Sequence, residues 1–250
     1  MNADAALAGR FALVNERIAR ALARSGRNAT AETGGAAGSP ASCGLRLVAV
    51  SKNHPASVVA TLASCWKADP NALAGPIFGE SYVQEALEKK EALRTLAPEW
   101  HFIGHIQSRK AREIAGRFSL IHSLDSEKVA LALEKALSDG ATQPVLVQVN
   151  IGREAQKSGV MPERLEALLN TLQTMPALPV QGLMCLPPYD EDGERSRPFF
   201  AELRGLAEAM RTRTGLLLPH LSMGMSHDLE VAIEEGATLV RVGTDIFGSR

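Results

Sequence analysis

The amino-acid sequence predicts an α/β protein built as a single (β/α)8 barrel of the TIM type, with an extra helix at its N-terminus. The first observation is a regular alternation: eight short apolar runs are each followed by a stretch that can form a helix. The second is that runs such as LVAV and VLVQV are apolar on both faces, as a parallel sheet buried on both sides requires. The third is the length of 250 residues, which suits one barrel of this kind.

The eight apolar runs are spread along the chain from residue 45 onward. They are LRLVAVS (45–51), PIFGE (76–80), WHFIG (100–104), SLIHS (119–123), PVLVQVN (144–150), PVQGLMCL (179–186), HLSMG (220–224) and TLVRVG (238–243). A doubly wound open sheet is the alternative architecture. No GxGxxG sequence follows the first run, which argues against that alternative.

Two segments precede the predicted barrel, which occupies residues 45–250. Residues 1–25 are predicted to form a helix that packs on the barrel, because apolar residues recur there at helical spacing with Arg and Glu between them. These apolar residues are Phe11, Leu13, Val14, Ile18, Ala21 and Leu22. Residues 26–44 are rich in Gly, Ala and Ser and carry little apolar surface, which predicts a flexible loop.

The composition argues against several classes of function. The net charge is −1 and aromatic residues make up 4% of the chain, so no surface for nucleic acid is indicated. Cys43, Cys65 and Cys185 have neither CxxC nor metal-ligand spacing, which suits a reducing compartment. The N-terminal segment carries charges throughout and lacks the apolar core of a signal peptide or membrane span. We therefore expect a cytoplasmic protein that binds neither nucleic acid nor membrane.

Lys52 is the first candidate for chemistry, because it directly follows the first apolar run and active sites of such barrels lie at the carboxyl ends of the strands. A lysine near the barrel axis loses hydration, which favours its neutral amine. A neutral amine attacks aldehydes and forms a Schiff base. The alternative is a lysine that leaves the strand and reaches solvent.

The last two runs suggest a phosphate site. Ser226 and Asp228 precede the amphipathic stretch DLEVAIEEG, so one of them can cap that helix. Gly243 and Thr244 end the eighth run, and glycine lets the backbone approach a ligand closely. The loops after the seventh and eighth strands hold a phosphate group in many barrels. A capped helix followed by a tight turn is the structural alternative.

Arg241 lies within the eighth apolar run. Alternation places Val240 and Val242 on one face of the strand, and Leu239 and Arg241 on the other face with Gly243. A charge in a core strand is costly unless it is paired or serves a ligand. Arg241 is therefore predicted to contact a ligand or to form a structural ion pair.

The chain resembles the YggS/PROSC family of pyridoxal 5'-phosphate (PLP) homeostasis proteins over roughly residues 45–250. The resemblance rests on motifs that stand in the same order. These are LVAVSK (47–52), FGESYVQE (78–85), WHFIGHIQSRK (100–110), IHSLD (121–125), LVQVNI (146–151), QKSG (156–159), GLMCL (182–186), LSMGMSHD (221–228) and VRVGTDIFG (240–248). The family is similar to the barrel domain of alanine racemase, so the resemblance implies a PLP-binding barrel.

The resemblance implies roles for particular residues. Lys52 would hold PLP covalently as a Schiff base, and Arg241 would face the pyridine nitrogen of the cofactor. The phosphate would be held by Ser226, Gly243 and Thr244, with Ser222 close enough to assist. Met184 and Asn150 would line the floor or wall of the cofactor site.

This sequence departs from the family pattern at two positions near the expected site. Ser81 stands where the family has Asn, so a hydrogen bond from this position to the cofactor would need an intervening water. Asp245 stands where the family has Ala, close to the expected phosphate. Because a carboxylate facing a phosphate is unfavourable, we expect Asp245 to turn away.

The function implied is that of a PLP carrier or regulator with little or no catalysis. Arginine can only donate, so Arg241 would keep the pyridine nitrogen unprotonated and weaken the ring as an electron sink. The chain ends at Arg250, so the domain that supplies a tyrosine base in alanine racemase is expected to be missing, and neither Tyr82 nor Tyr189 is expected to replace that base. The alternatives are a weak PLP-dependent amino-acid racemase and a class I aldolase. Expected partners are PLP, amino or keto acids and PLP-dependent client enzymes, and a monomer is expected.

Overall fold

The structure is a computed structural model, which describes residues 3–27, 44–69, 72–73 and 75–248. It confirms the predicted fold: eight parallel strands close into one barrel in the order β1 to β8, with β1 paired to β8. Each predicted apolar run overlaps one strand. Residues 28–43 of the predicted flexible loop lie outside the described residues. The strands are β1 (Arg46–Val50), β2 (Ile77–Glu80), β3 (Glu99–Phe102), β4 (Leu120–Leu124), β5 (Val145–Val149), β6 (Val180–Cys185), β7 (His220–Ser222) and β8 (Leu239–Val242).

In the described part of the chain, one helix precedes the barrel and a helix follows each strand, as the alternation in the sequence predicts. Short 3-10 turns at 108–110, 162–164 and 193–196 lead into the fourth, sixth and seventh helices. The helices are α1 (Ala3–Arg24), α2 (Ala56–Ala68), α3 (Val83–Ala92), α4 (Ala111–Ile114), α5 (Glu127–Glu134), α6 (Leu165–Gln173), α7 (Arg197–Thr214), α8 (Leu229–Glu234) and α9 (Thr244–Phe247).

The strands bury both faces because the barrel has an inner and an outer core. In β1, Leu47 and Ala49 pack outward against the helices, whereas Val48 points into the barrel. The inner core consists of Val48, Ile77, Leu120, Leu146, Met184 and Leu239. This arrangement explains why the runs read as apolar without alternation.

Helix α1 covers the outside of the barrel next to α2, α8 and α9. Five of the six apolar residues singled out in its sequence are buried, whereas Leu13 is 58% exposed, so its assignment to the apolar face was wrong. Arg10 on α1 donates from Nε to the Ile246 carbonyl at 2.8 Å and from Nη2 to the Phe247 carbonyl at 3.2 Å. The N-terminal helix therefore supports α9, which directly follows β8. Among the described residues, no helix is long and apolar enough to cross a membrane.

Three histidines of the strands have depressed pKa values. Burial lowers the pKa of His101 and of His122, and lowers the pKa of His220 to about 4. The hydrogen bond with His101, aided by Arg46, lowers the pKa of Glu99 to about 2. In the unfolded chain histidine takes up a proton near its ordinary pKa of about 6.5, whereas the folded protein keeps these rings neutral. Acid therefore favours the unfolded chain.

We expect the free energy of unfolding to fall as the pH is lowered from about 6.5. A depressed histidine contributes up to about 1.4 kcal/mol per pH unit between its unfolded and folded pKa values. For His220 this window ends at about 4, and Glu99 extends the loss down to about 2. Urea unfolding at a series of pH values measures the slope. His220→Gln should give a shallower slope than the wild type, and equal slopes would contradict the contribution of His220.

Candidate functional site

A cavity of about 280 Å³ opens at the carboxyl ends of β1 and β8. This is the end of the barrel at which TIM-type proteins hold their ligands. Predicted site residues that line it are Lys52, Ser226, Arg241, Gly243 and Thr244. The other lining residues are Val50, His54, Tyr189, Met225, His227 and Gly248. The fold therefore gathers an amine, a guanidinium and three hydroxyl-bearing residues around one space.

A tight turn after β1 carries Lys52. The next residue, Asn53, has a φ of 64°, a left-handed conformation that Asn adopts more readily than most residues. The backbone N–H of His54 donates to the Ser51 carbonyl at 3.1 Å, and the N–H of Asn53 donates to Glu85 Oε1 at 2.5 Å. The strained backbone is thus held by a side chain of α3, and it directs Lys52 to the cavity.

A buried ion cluster lies beneath this turn and consists of Ser51, Glu80, Glu85 and Lys89. Lys89, 4% exposed, donates from Nζ to Glu80 Oε1 at 2.7 Å, to Glu85 Oε1 at 2.6 Å and to the Ser51 carbonyl at 2.6 Å. Ser51 Oγ also donates to Glu80 Oε1 at 2.6 Å. Burial raises the pKa of Glu80, against the opposing effect of the hydrogen bonds from Lys89 and Ser51. The cluster fixes both residues that flank Lys52 in the chain, Ser51 directly and Asn53 through Glu85.

A second turn, at residues 225–228, presents Ser226 to the cavity. Asp228 is fully buried, and its Oδ1 accepts a hydrogen bond from the Met225 N–H at 2.6 Å. Asp228 occupies the position before α8, but its side chain makes no capping hydrogen bond to that helix. Of the two residues that the sequence offered as the cap, Ser226 and Asp228, the second does not cap the helix, since its carboxylate closes the turn instead.

Gly243 brings the loop after β8 close to β1. A Cβ at this position would lie 3.3 Å from Val50 Cβ and 3.4 Å from the Val50 carbonyl oxygen. A larger residue would push the loop away from Val50, which lines the same cavity. Glycine therefore allows the backbone at Thr244 to approach the space that a ligand would fill.

Asp245 turns away from the cavity, as its sequence position next to the expected phosphate led us to expect. Its Oδ2 forms an ion pair with Nη1 of Arg17 on α1. Nη2 of the same Arg17 donates to the Ser226 carbonyl at 2.8 Å and to Glu230 Oε2 at 2.9 Å. One arginine of the N-terminal helix thus neutralises Asp245 and supports the turn that carries Ser226.

Arg241 lies within the barrel wall and is 4% exposed. Leu239 belongs to the inner core, whereas Val240 and Val242 belong to the outer core, which confirms the alternation predicted for β8. Burial lowers the pKa of Arg241, but a guanidinium titrates so far above neutrality that it stays charged.

The two groups that accept hydrogen bonds from Arg241 are neutral. Nη1 donates to Ser222 Oγ at 2.5 Å, and Nη2 donates to the Cys185 carbonyl at 2.9 Å. These contacts direct the guanidinium without neutralising its charge. Arg241 can therefore donate to an acceptor atom of a ligand in the cavity.

Four predicted site residues do not line this cavity in the described part of the chain. Ser222 is fully buried, and its hydroxyl contacts Arg241 and His122, so it is not available to a phosphate. Met184 belongs to the inner core beneath the cavity. Asn150 uses its amide within its own loop, since Nδ2 donates to the Glu154 carbonyl at 2.8 Å and Oδ1 accepts from the Glu154 N–H at 3.1 Å. Ser81 belongs to the loop after β2 and is not among the lining residues.

Among the lining residues that were not predicted from the sequence, three carry rings: His54, Tyr189 and His227. The Tyr189 ring packs against the His227 ring with a centroid distance of 5.0 Å, and His54 stacks on Phe247 at 4.6 Å. Tyr189 has no obvious position near the lysine in the sequence, but the loop after β6 brings it to the same cavity. His54 and His227 each lie within two residues of a predicted site residue, which is the signal that could have indicated them.

The fold and this cavity define a class of barrel protein, in which a lysine ends the first strand and a polar cradle follows the last two. Residues 44–250 match the family model described as the alanine racemase N-terminal domain. A pyridoxal phosphate homeostasis protein of Aquifex aeolicus is 42% identical over 242 residues, which cover 96% of this chain and 97% of the relative. A second, from Pseudomonas aeruginosa, is 42% identical over 95% of this chain and 96% of its own length.

A solved structure gives the same result. PipY of Synechococcus elongatus, solved with PLP bound, has a TM-score of 0.72 and 34% sequence identity, and the match covers 82% of this chain and 92% of PipY. The chain therefore belongs to the alanine racemase N-terminal domain family and, within it, to the group of pyridoxal phosphate homeostasis proteins, as its motifs indicate.

Proposed function

We propose that this protein binds PLP covalently through the Lys52 amine, as a Schiff base, and that it acts in PLP homeostasis as a carrier or regulator. The observation that carries the proposal is that Lys52, Arg241 and the Ser226, Gly243 and Thr244 cradle line one cavity of about 280 Å³. The relatives that bear the name of PLP homeostasis proteins support the same conclusion.

The chemistry of the lining residues fits the functional groups of PLP. The aldehyde of PLP requires an amine, which Lys52 supplies. The phosphate requires hydroxyl and backbone donors, which Ser226 and Thr244 supply next to a glycine. The pyridine nitrogen can accept a hydrogen bond, and Arg241 is a cation whose own hydrogen bonds go to a hydroxyl and a carbonyl. The cavity is near the lower end of the usual range for ligand sites, roughly 300–1,000 Å³, as a small cofactor requires.

Arg241 favours binding over fast catalysis. Bound PLP supplies an electron-withdrawing ring that can stabilise negative charge on an attached amino acid. Arginine holds its proton at any ordinary pH, so Arg241 can only donate to the ring nitrogen and leaves that nitrogen unprotonated. The ring then withdraws electrons less strongly. A reversible lysine-bound cofactor with slow turnover is what a carrier needs.

A weak amino-acid racemase is the second candidate, and one observation favours it. Tyr189 and His227 line the same cavity as Lys52 and contact each other, so groups able to move a proton lie near the amine. Exchange of the α-hydrogen of amino acids with deuterated solvent, measured by NMR, separates the two functions. A rate well above that of free PLP, lost in Tyr189→Phe, would favour the racemase. Rates equal to free PLP across a broad amino-acid panel would leave the carrier function alone.

The absorption spectrum of the purified protein after PLP addition tests the proposed function. We expect a yellow lysine-bound form that borohydride reduces to a stable adduct, with mass spectrometry assigning the adduct to Lys52. The exposed lysines Lys128 and Lys135 serve as internal controls for random modification. An adduct distributed over such surface lysines would contradict the proposal.

The wider setting of this function is also proposed. The chain would exchange PLP with client enzymes in the cytoplasm, influence the balance of amino and keto acids, and act as a monomer. The near-neutral charge and the few cysteines support this setting. Pull-down of PLP-free client enzymes by the loaded protein, together with light scattering, would test it.

We expect Arg17→Leu to weaken PLP binding about fivefold, which corresponds to about 1 kcal/mol. The substitution removes the cation paired with Asp245 and the donor to the Ser226 carbonyl, so a carboxylate is left near the phosphate. Titration of PLP absorbance measures the affinity. Arg24→Leu removes an ion pair with Glu234 from the same helix and serves as the matched control. If Arg17→Leu combined with Asp245→Asn binds no better than Arg17→Leu alone, the electrostatic explanation is wrong.

A further inference from the structure

A line of polar side chains crosses the inside of the barrel and ends at the cavity. It runs from Glu99, at the start of β3, through His101, His122 and Ser222 to Arg241, and we call it the polar line. The side chains of His101, His122 and Ser222 are fully buried. Because the line passes from β3 and β4 to β7 and β8, it connects opposite sides of the barrel wall.

Each step of the polar line has hydrogen-bond length. Glu99 Oε1 lies 2.8 Å from His101 Nε2. His101 Nδ1 lies 2.9 Å from His122 Nε2. His122 Nδ1 lies 2.8 Å from Ser222 Oγ, and Arg241 Nη1 donates to that same Oγ at 2.5 Å. Both ring nitrogens of both histidines therefore have hydrogen-bond partners.

The two ends of the polar line fix the direction of every hydrogen bond in it. Glu99 is paired with Arg46 and carries a depressed pKa, so its carboxylate can only accept. Arg241 can only donate. With a neutral ring, His101 must then carry its proton on Nε2 and accept at Nδ1. His122 must likewise carry its proton on Nε2, and the Ser222 hydroxyl must donate to His122 Nδ1.

This order leaves Ser222 Oγ with its proton directed at His122 and its lone pairs directed at Arg241. If either histidine carried its ring proton on Nδ1 instead of Nε2, two donors or two acceptors would face each other at one of the buried hydrogen bonds, which is strongly unfavourable. The neutral state of both rings agrees with their burial, which lowers the pKa of each. Arg241 thus donates to the Ser222 hydroxyl, whose orientation is fixed by the series of hydrogen bonds that begins at Glu99.

We infer that Glu99, His101, His122 and Ser222 are positioning residues that hold the Arg241 guanidinium at the cavity through one directed series of hydrogen bonds. The inference rests on the proposed function, because it assigns the positioned guanidinium to the ring nitrogen of PLP. It also gives Ser222 a role other than the phosphate contact that the sequence led us to expect. This serine would act on the cofactor through Arg241. None of the four positioning residues lines the cavity.

Nitrogen-15 NMR of histidine-labelled protein tests the direction of the hydrogen bonds without any substitution. In both the PLP-free and PLP-loaded protein, we expect His101 and His122 to carry the ring proton on Nε2 and to remain neutral between about pH 6 and pH 8. A proton on Nδ1 of either ring, or a charged ring in this range, would overturn the inference. This readout does not depend on cofactor attachment.

Ser222→Ala tests the effect on the cofactor, with Ser123→Ala as the matched control. Ser123 is a buried strand serine whose hydroxyl donates to the Gly104 carbonyl, outside the polar line. We expect Ser222→Ala to bind PLP about tenfold more weakly while still forming the Lys52 adduct, and to shift the His122 Nδ1 resonance. Ser123→Ala should change neither, and Ser222→Thr, which keeps the hydroxyl, should restore the affinity.

The outcomes distinguish this inference from the proposed function. If the wild-type protein captures PLP on Lys52 but Ser222→Ala and Ser123→Ala bind it equally well, the positioning role is wrong and the proposed function stands. If the wild-type protein captures no PLP, both are overturned.

Discussion

Replacement of Lys52 by alanine is expected to abolish covalent capture of PLP while the barrel stays folded. Lys52 is half-buried at the end of β1, and the turn around it is held by backbone hydrogen bonds and by Glu85, none of which uses the lysine side chain. The substitution should therefore remove the covalent attachment of PLP and leave the fold intact. We expect no lysine-bound absorption band, no borohydride-stable adduct and an affinity lower by on the order of 100-fold, or about 2.7 kcal/mol.

The remaining cradle makes this prediction specific. Ser226, Thr244 and Arg241 are unchanged in Lys52→Ala, so weak reversible binding of PLP should persist and should be competed by inorganic phosphate. Lys128→Ala, which removes an exposed lysine at the first turn of α5, is the matched control and should bind like the wild type. An undiminished adduct in Lys52→Ala would show that another amine is the attachment site.

The sequence alone predicted the strands and the residues at their ends, because both follow from local patterns. A run such as LVAV is apolar on both faces only if both faces are buried, and β1 does divide its side chains between the inner and outer cores. Lys52 and Gly243 follow β1 and β8 directly, so their place at the mouth of the barrel follows from the ends of the strands. The lysine and the glycine of the cavity lining could thus be predicted once the barrel was recognised.

The contacts that hold these residues could not be predicted, because they depend on three-dimensional proximity between distant segments. Arg17 and Asp245 are 228 positions apart, and only the packing of α1 beside α9 brings them together. Ser222 lies close to the phosphate motif in sequence, yet its strand places its hydroxyl between His122 and Arg241. Tyr189 reaches the cavity through a loop whose path has no local signal. Strand ends are therefore encoded locally, whereas side-chain networks are not.

Two separate networks hold the two ends of the proposed cofactor site. The buried ion cluster lies beneath the Lys52 turn, and the polar line leads to Arg241. The turn that carries the amine and the strand that carries the guanidinium are thereby fixed relative to one barrel. Rigid placement of both groups reduces the ordering that PLP binding must cause, which favours affinity.

Lys89→Met is expected to destabilise the protein by about 3–5 kcal/mol, the usual cost of breaking a buried ion pair by removing one partner. Lys89 looks like an ordinary surface lysine in the sequence EKKEA, but the structure buries it against Glu80, which is fully buried, and against the Ser51 carbonyl. Methionine fills similar space without the charge, so Glu80 is left unpaired. Urea unfolding monitored by circular dichroism measures the loss, with Lys67→Met, at an exposed position of α2, as the matched control.

The pH dependence of this loss identifies its cause. Without Lys89, burial should raise the pKa of Glu80 further above its ordinary value of 4.5, so the folded variant binds a proton that the unfolded chain releases. A group with a raised folded pKa contributes stability at low pH and loses that contribution as the pH rises, so the deficit of Lys89→Met should be largest near about pH 8 and smaller near about pH 5. Glu80→Gln in the same variant should recover part of the stability, because a neutral amide needs no cation. A deficit that is independent of pH would mean that Lys89 contributes by packing rather than by charge.

The same variant also tests the site, because it releases Ser51 and Glu85. Slower adduct formation at Lys52 is expected even under conditions in which the variant is fully folded.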